Sequence, residues 1–64
     1  MTRTEAEWRI FEHMAAIKRI HNEYAPEEPQ ISMCIVGDYI QFNNSGAYNK
    51  ECKHPIDYSG RITT

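Results

Sequence analysis

Three histidines (His13, His21 and His54), two cysteines (Cys34 and Cys52) and the adjacent carboxylates Glu27 and Glu28 are the side chains of this 64-residue chain best suited to chemistry. Cys52-Lys53-His54 sets two soft ligands one residue apart. With Cys34 and either His13 or His21 they would complete the four ligands of a structural zinc. The spacing matches no finger or ribbon, however. Cys34 also belongs to the strand face turned away from the helix that carries both histidines. A Cys–His nucleophile pair fails on the same separation, and it would need a water-excluding cleft that one sheet under one helix does not readily form. Glu27-Glu28 lies in a proline-bounded connector and reads as a solvated turn rather than a converging acid–base pair. The histidines are expected at the surface or at the core edge. No nucleotide-binding loop occurs. The expectation is therefore no catalytic residue, no metal and no cofactor, and a chain that is not an enzyme.

Bulk properties narrow the remaining classes. Sixty-four residues predict one domain, 1–64, with no room for a second core. A chain of this length buries only about 60% of the surface of its unfolded form, so its stability is marginal and a partner adds much to it. Seven basic and nine acidic residues give a net charge of −2. That is too little positive charge for a binder that works by neutralising phosphates, and too little negative charge for a mimic of DNA. Nucleic acid is an unexpected partner on this count. The start Met1-Thr2-Arg3-Thr4-Glu5 is polar and shows no apolar leader, and no run approaches the ~20 apolar residues of a membrane span. A whole, cytoplasmic gene product with reduced thiols is the expectation, and Asn43-Asn44-Ser45 is a chance glycosylation match.

The elements that must position any site follow from pattern. Thr4-Glu5-Ala6-Glu7 has capping-box spacing, and Ala25-Pro26 stops a helix, which predicts helix from about Glu5 to about Tyr24. At 100° per residue Ala6, Ile10, Met14, Ile17 and Tyr24 share a core stripe, with His13 and Ile20 at its edge. Trp8, Phe11 and Ala15 form a second strip on another face. They are candidate partner-binding residues unless the C-terminal tail covers them. Aromatic residues of this kind are enriched at binding hot spots.

Gln30–Val36 and Tyr39–Asn43 flank Gly37-Asp38, a two-residue turn of type II′ with glycine first. The turn fixes the register, with Val36 opposite Tyr39 and Ile35 opposite Ile40. Alternation then puts Ile31, Met33, Ile35, Ile40 and Phe42 on a face under the helix. Ser32, Cys34, Val36, Tyr39, Gln41 and Asn43 lie on the other face. Tyr39, Gln41 and Asn43 are its candidate partner-binding residues. Asn43–Gly46 is a turn cluster, 47–53 a third strand or a helical turn, and Ile56–Tyr58 a final strand. Ser59-Gly60 offers a bulge or a turn.

The predicted architecture is α+β, one long N-terminal helix on a small antiparallel sheet of three strands, or four if 47–53 adds one. The predicted function is a small non-enzymatic protein-binding module: an inhibitor, antagonist or regulatory subunit that occupies a surface on a larger protein, or a chain that pairs with itself as a homodimer. The alternative is a weak single-stranded nucleic-acid-binding or transcription-accessory module that stacks bases on the Tyr39 face. Only its size is shared with the accessory proteins by which bacteriophages and mobile elements block host machinery.

Overall fold

A computed structural model describes residues 1–44 and 52–62. It holds one helix, α1 (Arg3–Tyr24), and three strands, β1 (Ser32–Val36), β2 (Tyr39–Asn43) and β3 (Asp57–Arg61). The fold is α+β, as the pattern predicts.

The helix begins two residues before the expected Glu5. Its N-cap is Thr2, in extended conformation, whose hydroxyl accepts from the Glu5 amide at 3.2 Å. The capping box expected at Thr4 is not used. Glu7, expected to reach back to Thr4, instead accepts from the Arg3 guanidinium at 2.8 Å. An i,i+4 pair and an earlier hydroxyl cap together outcompete the later box. At the other end the Ala25 amide donates to the His21 carbonyl at 2.7 Å. A turn follows, with Pro26 in its second position and the Glu28 amide donating to the Ala25 carbonyl at 3.0 Å.

The hairpin register is the predicted one throughout, from Ser32 opposite Asn43 to Val36 opposite Tyr39. Gly37 carries the only positive φ among the described residues, +60°, which the first position of this turn requires. The strand order is β1-β2-β3, all antiparallel. The last strand is longer than expected and displaced towards the C-terminus, pairing Asn43 with Asp57 and Tyr39 with Arg61. Ser59 and Gly60, expected to interrupt it, lie inside it. Gly60 sits across from Ile40, with the Tyr58 ring beside it. The possible strand at 47–53 lies mostly outside the described residues, and Cys52 and Lys53 are not in a strand.

Helix and sheet are mismatched in length. Twenty-two helical residues span about 33 Å, whereas five-residue strands reach about 17 Å. Only the C-terminal half of α1 therefore has sheet beneath it. Ile10 and Met14, expected in the core stripe, are 60% and 51% exposed, and Ile20 and Tyr24, at the level of the sheet, are still 66% and 48% exposed, so the helix is sparsely covered along its whole length. The molecule is correspondingly elongated, 41 × 22 × 19 Å. Its radius of gyration is 13.4 Å. A compact chain of this length would have about 11 Å.

Where the helix does overlie the sheet, no helix Cα comes within 8 Å of a strand Cα. An apolar cavity of about 320 Å³ opens between Ile17, Ile20 and Tyr24 on one side and Met33, Ile40 and Phe42 on the other. Helix and sheet are thus held apart, with this cavity between their facing apolar side chains.

Candidate functional site

The most tightly enclosed part of the molecule is polar. Among the described residues the buried set is Ala25, His21, Glu28 and Asn44. Asn44, just past the end of β2, uses its whole side-chain capacity. Its amide nitrogen donates to the His54 carbonyl at 2.9 Å and lies 3.1 Å from His21 Nε2. Its oxygen accepts from the Ile56 amide at 3.0 Å and from the Cys52 thiol at 3.3 Å. His21 Nδ1, on the other side of the ring, is buried and has no partner among the described residues. The Glu28 carboxylate accepts from the Lys53 amide at 2.8 Å.

One expectation is narrowed here and one corrected. His21, expected at the surface or the core edge, is buried at the edge of the apolar cavity. Glu28 is not solvated, because the 52–56 segment folds back over the connector and needs an acceptor for the Lys53 amide. Glu27 meets His54 Nδ1, and the Tyr24 hydroxyl donates to the Pro55 carbonyl at 3.0 Å. This junction ties the C-terminal end of α1, the connector, the end of β2 and the entry to β3 into one knot.

The knot also separates the two thiols. Cys34 is exposed on the outer sheet face, and Cys52 is half-buried; neither is in a disulfide. Loss of solvation, then the nearby Glu28 carboxylate, hold the Cys52 thiol above its ordinary pKa. Only the thiolate is nucleophilic, so a raised value leaves less of it at neutral pH. Iodoacetamide near neutrality is expected to label Cys34 well before Cys52, with the gap narrowing as pH rises. Peptide mass mapping over time checks this, and preferential labelling of Cys52 would contradict it. Among the described residues no three His, Cys, Asp or Glu side chains converge as metal ligands.

Two surfaces carry the predicted binding residues, and they do not meet. On the outer face of the sheet, Tyr39, Gln41 and Asn43 alternate along β2 beside Arg61, Ser59 and Asp57 of β3. Tyr39 is 46% exposed. Arg61, the cation that this face presents among the described residues, lies 3.4 Å from the Asp38 carboxylate. Asp57 adds a negative charge at the other end. The face is mixed and nearly neutral.

The other surface lies on the projecting half of α1. Trp8 and Phe11 are 62% and 61% exposed. Their ring centroids are 6.1 Å apart at 87°, an edge-to-face pair. With Glu7 they line an open hollow of about 420 Å³. Ala15, one turn further on, is half-buried. The C-terminal segment, expected as a cover, runs instead as β3 along the far edge of β2.

Comparison with family models, curated proteins and solved structures finds no match for this chain. The surface itself is what there is to reason from. Ordinarily a helix facing solvent shows polar residues on that side. Trp8, Ile10, Phe11 and Met14 are all more than half exposed within two turns, which is a patch rather than scattered apolar residues.

Proposed function

We propose that the chain is a small non-enzymatic protein-binding module that acts by occupying a surface on another protein, with the projecting half of α1 as the contact. The supporting observation is the edge-to-face pair Trp8–Phe11, fixed on a rigid helix and three-fifths exposed. A preformed aromatic pair loses little entropy on docking, and such side chains supply most of the energy of typical interfaces. No helix among the described residues is long and apolar enough to cross a membrane, so the contact need not be a membrane anchor. A cytoplasmic setting fits two cysteines that are not joined. Inhibitor, antagonist and regulatory subunit are all forms of this reading.

Single-strand binding on the Tyr39 face draws less support. That face offers Arg61 to phosphates, but Asp38 lies beside Arg61 and Asp57 sits at the other end of the same face.

Trp8→Ala is the direct test. The indole has little to lose in the fold, so the urea midpoint is expected to stay near that of the wild type. Affinity for a partner recovered by the wild type should fall by about 2 kcal/mol or more. Collapse of the fold on Trp8→Ala, or unchanged partner affinity, would refute the reading.

A further inference from the structure

The exposed strip has a second property that bears on what covers it. Trp8, Phe11, Ala15, Lys18 and Asn22 recur at alternating spacings of three and four, the seam of a helix that packs lengthwise against another helix. Apolar character falls along this seam, from two aromatics through alanine to a polar end, and turning one copy end for end sets the aromatics of each against the small and polar positions of the other. Phe11 then faces the partner's Ala15, and Trp8 faces the partner's Lys18. Lys18 donates to the Pro29 carbonyl at 2.9 Å, which holds its stem and charge in one place. An indole there gains a cation–π contact.

Charges beside the seam choose the same direction. In the reversed arrangement exposed Glu5 lies beside the partner's exposed Arg19, and two-fold symmetry repeats the pair. Glu12 meets its own copy near the axis, a single repulsion. With the helices parallel, Trp8 would instead crowd its own copy, and Glu7 would face the partner's Glu12 twice. The sheet lies on the opposite side of α1 from this seam, so it does not obstruct the pairing.

We propose that the projecting half of α1 is covered by a second copy of this chain, in an antiparallel, two-fold helix pair centred between Phe11 and Ala15. The proposal rests on the reading of the Trp8 strip as a binding surface, and it names the occupant. Two copies bring four rings of roughly 150–250 Å² each, about three-fifths of which is available, or on the order of 500 Å² of aromatic surface. Together with the helix flanks this reaches only the lower end of specific interfaces, so the dimer should dissociate in the micromolar range. A pair this weak also leaves the strip open to exchange for a different partner.

Sedimentation velocity of the full chain from about 1 to 500 µM tests it. The wild type should shift from monomer to dimer across that range, and Trp8→Ala should remain monomeric. Glu5→Arg or Arg19→Glu alone should weaken association about tenfold, and the double exchange should restore it. A wild type that stays monomeric overturns the proposal, and so does a dimer indifferent to Trp8→Ala or to the charge exchange. Tryptophan emission of the dilute monomer separates the two levels of argument. An exposed indole in a chain that never dimerises removes the second copy alone. A buried indole removes the binding strip as well.

Discussion

Asn44→Ala is expected to cost about 3 kcal/mol or more, enough to leave a 64-residue domain largely unfolded at room temperature. The loss is not that of one hydrogen bond. Truncation would strand the His54 carbonyl, the Ile56 amide and the Cys52 thiol together, and leave His21 with no partner among the described residues on either ring nitrogen. Each group abandoned in a buried setting costs about 1–3 kcal/mol, and water entering the vacated space offsets part of that. Asn22→Ala, at an exposed helical position, should change stability by less than about 0.5 kcal/mol. Urea melts followed by far-UV circular dichroism compare the two. Similar midpoints would mean that Asn44 is not the keystone its contacts imply.

Ile40→Ala is the second large effect. Ile40 lies at the centre of the sheet, paired with Ile35 on one side and Gly60 on the other, and faces the helix. Removing three carbons from such a site typically costs 2–5 kcal/mol. The figure expected here is about 2 kcal/mol, at the low end, because the cavity beside Ile40 already denies it close neighbours and Gly60 adds none. Gln41→Ala, on the outer face, should cost a few tenths of a kcal/mol. Equal losses for the two variants would mean that the helix covers the opposite face of the sheet.

Much of this architecture was legible in the chain because its signals are local. Gly37-Asp38 specifies a turn, the turn specifies the register, and alternation then assigns every side chain of the hairpin to a face. Pro26 likewise ends the helix where it should. The distribution of burial was less legible. Helical periodicity names a stripe, but it carries no information on how far or how closely the opposing sheet covers it, and Ile10, Met14 and Tyr24 of that stripe are 60%, 51% and 48% exposed. The knot around Asn44 was not legible at all. Its partners lie 8 to 23 residues away, and no periodicity links an asparagine in a turn cluster to a histidine on a helix. An unusual burial of Glu28 leaves no trace in sequence either, since adjacent glutamates after a proline normally mark solvent. The Trp8 strip was visible from the start. Whether it is bare depended on the path of the C-terminal segment.

The two margins of the sheet are treated very differently. β3 ends the sheet with Asp57, Gly60 and Arg61, residues that discourage a foreign strand from adding on. β1 ends it with Ser32-Met33-Cys34-Ile35-Val36, five residues with no charge and no proline, and Val36 is 69% exposed. Among the described residues no strand pairs with the outer side of β1, and unpaired amides and carbonyls along such a margin form a template for continuing the ladder from one molecule to the next. Growth there is open-ended, unlike a helix pair, which closes on itself. Should the proposed helix pair form, rising chain concentration would favour both a closed association along the helix and an open-ended one along β1. Occupancy of the helix does nothing to shield the strand.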